Sequence, residues 1–284
     1  MDLSAAVTIQ RPGAAALDIN SIREPADIGS SPISGYMIEQ VDFSSVGVNA
    51  FVEDTPQVDG VDGYDAYLGG RMITLILSVY GNTYTDFWAK MDALNFALQA
   101  MPKAADVSVY PALPVDGQRK LSFSQPKVGG GSYSLYMMVR PVAMPRFAIN
   151  NASVAGMTER GYSQKVTVQL MAEDPYKYFE TAQTFSRTGT GTISVVNTGN
   201  TVAWPTVTWN LTSSTATSAT LGSDTVSHSA SATSITDTFK TAVSTSPKTL
   251  TGFAFFSVAP GTSSVSVVGQ SGQTISITIR ESLL

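Results

Sequence analysis

The sequence predicts a mainly β chain with one long helix: an α+β split barrel or sandwich over residues 1–180, then a purely β sandwich over residues 181–284. Three observations predict it. The 284 residues include 11 Tyr, 12 Phe and many Val and Ile, side chains that suit a pleated, half-buried surface. A helical period occurs at one place only. The composition also changes near residue 180. Only three acids (Asp224, Asp237, Glu281) and four bases (Arg187, Lys240, Lys248, Arg280) follow Glu180, and about two-fifths of that last stretch is Ser or Thr. The length accommodates two average domains, and a hydrophobic content of 43% lets each bury a core.

The helix is expected over residues 83–101. It follows the turn signal Gly81-Asn82, with Thr83 as cap and Asp86 three residues on. Phe87, Met91, Leu94, Leu98 and Met101 recur at helical spacing until Pro102 stops the pattern. That apolar face needs a sheet to pack on. Alternating residues announce one: Ile73, Leu75, Leu77 and Val79 before the helix, then Val107 and Val109, then Tyr133, Leu135, Met137 and Val139, then Val166, Val168 and Leu170. Residues 36–43 and 46–52 read as a further strand pair. One helix among several strands favours α+β over a doubly wound sheet, which places helices between most strands.

Beyond residue 180 no helical period is visible. Residues 193–196, 202–211, 253–258, 265–268 and the alternating Ile275, Ile277 and Ile279 read as short strands separated by Gly, Asn and Pro turns. The Ser/Thr run at 212–220 reads as a polar hairpin, because Leu221, Val226, Ile235 and Phe239 continue the strand texture past it. Residues 180–190, with Ser186, Gly189 and Gly191, read as a flexible connection.

Composition excludes most catalytic chemistry. Without cysteine there are no disulfides, thiolate ligands or cysteine nucleophiles, and the single histidine, His228, rules out a multi-histidine metal site. His228 lies in Val226-Ser227-His228-Ser229 without the glycines of a nucleophile elbow, and reads as a residue on the wet face of an edge strand. No catalytic residue, cofactor or metal ligand is assigned, and the chain is expected not to be an enzyme. No Lys/Arg cluster offers a nucleic-acid patch. The N-terminus lacks a basic start followed by an apolar stretch. The most apolar segment, residues 72–80, is half the length that spans a bilayer, so a soluble, unprocessed chain without membrane insertion is expected.

Two groups of residues remain as candidates. Glu53, Asp54, Asp59, Asp62 and Asp65 form a glycine-punctuated acidic stretch, read as a long loop between two strands. Their spacing lacks the alternate-position ligands and distal glutamate of a calcium loop. Charge around them is uneven: nine acids and no base lie between Arg23 and Arg71, which leaves the remainder with a net charge of +4. A chain so divided attracts copies of itself. Trp204 and Trp209 are candidate glycan contacts, since exposed rings on a β-sandwich stack on sugars. Five positions apart, they face opposite sides of an ideal strand, so at most one is exposed and core packing is favoured.

Several segments, in this order, resemble the distal tail proteins of long-tailed bacteriophages, the Dit-like adaptors of siphovirus tail tips. They are Asp62-Gly63, then Gly70-Arg71-Met72-Ile73-Thr74-Leu75 and the helix pattern Phe87-Trp88-Ala89-Lys90-Met91-Asp92-Ala93-Leu94. Val166-Thr167-Val168-Gln169-Leu170-Met171-Ala172-Glu173-Asp174-Pro175-Tyr176-Lys177-Tyr178 follows. Asn197-Thr198-Gly199-Asn200-Thr201-Val202-Ala203-Trp204-Pro205-Thr206-Val207 completes the set. The resemblance covers about residues 50–210. It implies a tail-tube-like N-terminal domain that assembles into a hexameric ring and a galectin-like C-terminal domain facing outward. It also implies a structural role at the tail tip of the virion, assembled in the host cytoplasm. The implied partners are the tail tube protein, the tip or baseplate hub, the tape measure protein and receptor-binding proteins. A second reading is a host-envelope adhesin that binds carbohydrate through the C-terminal sandwich.

Overall fold

A computed structural model of the chain describes residues 1–23, 33–46, 48–49, 52–54, 61–63, 67–99, 118–143, 162–210, 216–229, 234–239, 243–244, 250–269 and 272–284. The chain divides into two compact units, Met1–Pro175 and Tyr176–Leu284. Its strands are arranged in several sheets built from antiparallel pairs, and the described residues contain one α-helix.

The first unit contains β1 (Thr8–Gln10), β2 (Leu17–Asp18), β3 (Gly35–Phe43), β4 (Val48–Asn49), β5 (Val52–Asp54), β6 (Val61–Gly63), β7 (Tyr67–Leu68) and β8 (Arg71–Gly81). The helix α1 (Tyr84–Leu98) follows, then β9 (Arg119–Pro126), β10 (Ser132–Pro141) and β11 (Tyr162–Ala172). The main sheet runs in the order β2-β1-β9-β10-β11-β8-β3. Its centre is the long ladder of β8 with β11, in register from Arg71↔Ala172 to Gly81↔Tyr162. Ile73, Leu75, Leu77 and Val79 of β8 and Val166, Val168 and Leu170 of β11 are buried, as their alternation predicts. Val107 and Val109 lie outside the described residues. β1 and β9 carry little sequence signal yet belong to the same sheet, with Ile9 opposite Leu121.

The helix lies on this sheet by burying Phe87, Met91, Leu94 and Leu98; Met101 lies outside the described residues. Thr83 caps its start by accepting from Asp86 N at 3.1 Å, and the Asp86 carboxylate in turn accepts from Asn82 N at 3.0 Å. The two side chains satisfy backbone donors that the helix leaves unpaired. Gly81 is required for the close approach: a Cβ there would lie 2.3 Å from Phe87 N. The other end has no base in its last turn. Instead the fully buried Arg119, arriving on β9, donates from Nε to Ala97 O at 2.7 Å and from Nη2 to Gln99 O, which places a cation at the negative end of the helix. Tyr36 of β3 ties the sheet to the middle of the helix through Oη to Lys90 O at 2.7 Å. Burial, with the Asp86 charge adding to it, pushes the Tyr36 phenol up to about 12, so it remains a donor at every physiological pH.

The second unit starts with β12 (Lys177–Phe179), β13 (Gln183–Thr188), β14 (Gly191–Asn197), β15 (Thr206–Asn210), β16 (Thr217–Leu221) and β17 (Asp224–His228). It continues with β18 (Ile235–Thr238), β19 (Val243–Ser244), β20 (Leu250–Phe253), β21 (Gly261–Val268), β22 (Thr274–Ile279) and β23 (Ser282–Leu283). Two five-stranded sheets, β13-β22-β15-β18-β19 and β14-β21-β16-β17-β20, enclose a core that includes Val195, Val207, Trp209, Phe256, Val265 and Ile277. The stretch read as a flexible connection is instead largely β13, paired with β22 from Gln183↔Ile279 to Thr188↔Thr274. Composition misleads there because an outward face of Ser and Thr looks like a linker. β16 and β17 form a hairpin turning at Gly222 with φ 63°, which takes in the end of the Ser/Thr run read as a polar hairpin; residues 211–215 lie outside the described residues.

Threonines on neighbouring strands of the first of these sheets bond to one another, Thr184 to Thr278 at 2.9 Å and Thr188 to Thr274 at 3.1 Å. The C-terminal part therefore covers its sheets with β-branched hydroxyl residues rather than charges, which accounts for its composition.

Candidate functional site

The acidic stretch is not a simple long loop. Its described residues form two short antiparallel pairs in the arm between β3 and β8: β4 pairs with β7 through Val48↔Leu68 and Asn49↔Tyr67, and β5 pairs with β6 through Val52↔Gly63, Glu53↔Asp62 and Asp54↔Val61. The single strand read at 46–52 corresponds to β4 and the first residue of β5, whereas the glycines at 60 and 63 read as loop. Of the five candidate acids, Glu53, Asp54 and Asp62 sit on this arm; Asp59 and Asp65 lie outside the described residues. Glu53 and Asp62 occupy directly opposed positions, a placement that local pairing disfavours for like charges.

Trp204 and Trp209 separate as their spacing predicts. Ala203 turns inward and forms an isolated bridge with Val258, exchanging bonds of 2.9 and 2.8 Å. The next residue therefore turns outward, and Trp204 is 42% exposed while Trp209 is fully buried. Trp209 is thus removed as a glycan contact: it faces the core and donates from Nε1 to Asp237 Oδ2 at 2.6 Å.

His228 also differs from its expected place on a wet edge. It is fully buried, because β17 lies between β16 and β20 and His228 follows Val226 on the inward face. Its Nε2 lies 2.7 Å from Asp237 Oδ2, and its ring stands edge-on to Trp209 at 5.6 Å. Asp237 is itself fully buried. Burial alone pushes its carboxyl up, but hydrogen bonds from His228, Ser244 and Trp209 outweigh that and hold it below the ordinary carboxylate range. Four strands, β15, β17, β18 and β19, are thereby joined through one carboxylate. With no surface access, this cluster is a structural pin.

Asn197-Thr198-Gly199-Asn200-Thr201, singled out in the sequence, grips the end of the chain. Asn197 Nδ2 donates to Thr201 O and Val258 O, and its Oδ1 accepts from Gly199 N at 3.0 Å. The turn so shaped receives Glu281, whose carboxylate accepts from Thr198 N, Thr198 Oγ1 and Gln183 Nε2. Asn200 N donates to Ser282 O, and Asn200 Oδ1 accepts from Leu284 N. Glycine is needed at 199 because a Cβ would lie 2.4 Å from Ser282 O.

Beside this clamp is a cavity of about 300 Å³, with Trp204, Tyr176 and Tyr178 among its walls and Thr238, Arg280 and Ser282 supplying polar groups. Among the described residues, no three of His, Asp or Glu come together as a metal site, and no helix is long and apolar enough to cross a membrane.

No protein-family model matches the sequence, and no curated protein matches it. Among solved structures, the chain matches Dit (gp 19.1) of phage SPP1, described as a paradigm of the hub adsorption apparatus in phages infecting Gram-positive bacteria. The TM-score is 0.62 at 18% identity, over 99% of this chain and 100% of that one. Chains of the phage P2 baseplate in its activated conformation, with Ca and with Sr, match with TM-scores of 0.47 and 0.49 at 7% and 8% identity, over 97% of each chain. From its first strand to its C-terminal clamp, this chain has the fold of the phage hub protein Dit.

Proposed function

We propose that this protein is a structural component of a phage tail tip, a hub that closes into a six-fold ring and joins the tail tube to the tip or baseplate. The observation that carries the reading is the end-to-end match to a Dit hub protein, with neither chain leaving a large part unaligned. On this reading the first unit is the tube-like, ring-forming domain and the second is the outward, galectin-like one. Its partners are copies of itself, the tail tube protein, the tip hub, the tape measure protein and receptor-binding proteins. Its role is mechanical rather than enzymatic.

The first unit suits a ring. Its sheet path ends on β2 at one side and β3 at the other. Open sheet edges without disulfides gain stability by pairing around an axis, and a head-to-tail contact that closes gives a cyclic ring. The acidic arm between β3 and β8 supplies the contact with the adjoining ring. Attraction to a basic surface also offsets the repulsion between its own carboxylates. Changing Asp59, Asp62 and Asp65 together to Asn is expected to leave the fold intact while weakening tail joining. Wild-type joining should decline as salt rises. In vitro joining of purified rings to tubes across a salt series, counted by electron microscopy, checks this; normal joining by the triple variant contradicts it.

A further inference from the structure

The cavity beside the C-terminal clamp is lined by residues of the second unit alone. We propose that it is a binding site for one pyranose unit of a surface polysaccharide, with Trp204 as its stacking platform. The proposal goes beyond assembly: a ring needs no sugar, so the two readings stand or fall separately.

Trp204 makes the first argument. It is a large aromatic residue that the backbone turns outward. Ala203 before it is pinned by the bridge to Val258, and Pro205 after it accepts from Phe239 N at 3.0 Å. The ring is therefore held at a fixed place on the surface while 42% of the residue stays exposed. A core role would have turned it inward, as it does Trp209. Tyr176 and Tyr178, edge-on to each other at 6.5 Å, bring further aromatic surface to the same cavity.

The polar groups make the second. Arg280, one of the lining residues, is fastened by Nη1 to Phe179 O at 3.0 Å and Glu180 O at 2.9 Å, which fixes its guanidinium before any ligand arrives. Thr238 and Ser282 add hydroxyl-bearing residues. Glu281, next to Arg280, is buried and locked by Thr198 and Gln183. A site whose backbone is held at this many points loses little entropy on binding.

Size and chemistry select the ligand. About 300 Å³ is at the small end of ligand pockets. Aromatic walls with a few fixed hydrogen-bonding groups match a sugar ring, which presents an apolar C–H face and a hydroxyl edge. Single-stranded nucleic acid also stacks on aromatic rings but is held by a positively charged groove. The sequence after Glu180 offers four bases in all. A lipid tail would need an apolar channel without a guanidinium.

The test uses the full-length protein and four probes: methyl α-D-glucopyranoside, methyl β-D-galactopyranoside, N-acetyl-D-glucosamine and D-glucuronic acid. Saturation-transfer NMR and tryptophan fluorescence report binding. At least one probe is expected to bind saturably with a Kd on the order of 1–10 mM, a modest affinity suited to a multivalent particle. Trp204→Ala should weaken it by about tenfold or more, Trp204→Tyr should restore part of the loss, and Thr208→Ala, elsewhere on the same sandwich, should change nothing. The melting curve of Trp204→Ala should match that of wild type because the side chain is not part of the core. Absence of saturable binding by all four probes up to about 100 mM, or equal binding by wild type and Trp204→Ala, overturns the proposal.

Discussion

Replacing Leu94 with alanine is expected to destabilise the protein by about 2–5 kcal/mol. Leu94 is 1% exposed and sits mid-helix among Phe87, Met91 and Leu98 on the face that meets β8 and β11. Removing its branched end forfeits the transfer energy of those carbons. It also leaves a cavity that rigid neighbours close only in part, since one wall is the eleven-residue ladder of β8 with β11. The upper part of the range is expected because a long, fully paired ladder relaxes little. Chemical denaturation followed by circular dichroism measures the change. Hydrogen exchange should show it first in the amides of α1 and β8. An unchanged transition would mean that the helix does not pack as described.

Replacing Asp237 with alanine is expected to cost about 3–5 kcal/mol, because it strands Trp209 Nε1 and the His228 imidazole in a dry core. Both donors reach the same Oδ2, at 2.6 and 2.7 Å, and all three residues are fully buried. Asp237→Asn should cost less, since the amide oxygen still accepts. The pH dependence has a definite sign. The folded carboxyl lies below its unfolded value, so its contribution is fully present above the unfolded value of about 4 and is lost as pH falls through the folded one. The melting midpoint of the wild type should therefore drop in acid by more than that of Asp237→Asn. Equal acid sensitivity in both proteins would show that Asp237 is not an anionic pin.

How much of this was legible in the sequence depends on which signal each element leaves. The helix was readable to its cap because Thr83, Asp86 and a strong apolar period act over a few residues. So were β8, β10 and β11, whose alternation runs for many residues. β9 was missed because Arg119-Lys120-Leu121-Ser122-Phe123 has only two apolar inward positions, and its most important side chain is a buried arginine. Nothing local says that an arginine caps a helix some twenty residues upstream. His228 was misplaced because one polar residue next to serines looks wet. Its inward position follows from Val226 two residues earlier, but its partner Asp237 lies on another strand and leaves no trace nearby. The pocket around Trp204 was half visible. Parity with Trp209 places the Trp204 ring on the opposite side of the chain, whereas Tyr176, Tyr178 and Arg280 converge on it only through folding.

The most direct test of the central claim is the symmetry and position of this chain in intact particles. Cryo-electron microscopy of assembled tails, with the chain located by fitting its fold into the density, measures both at once. A single six-fold ring is expected at the distal end of the tube, with the first unit lining the ring and the acidic arm at the joint with its neighbour. A monomeric or two-fold arrangement, or a location away from the tail tip, would contradict it.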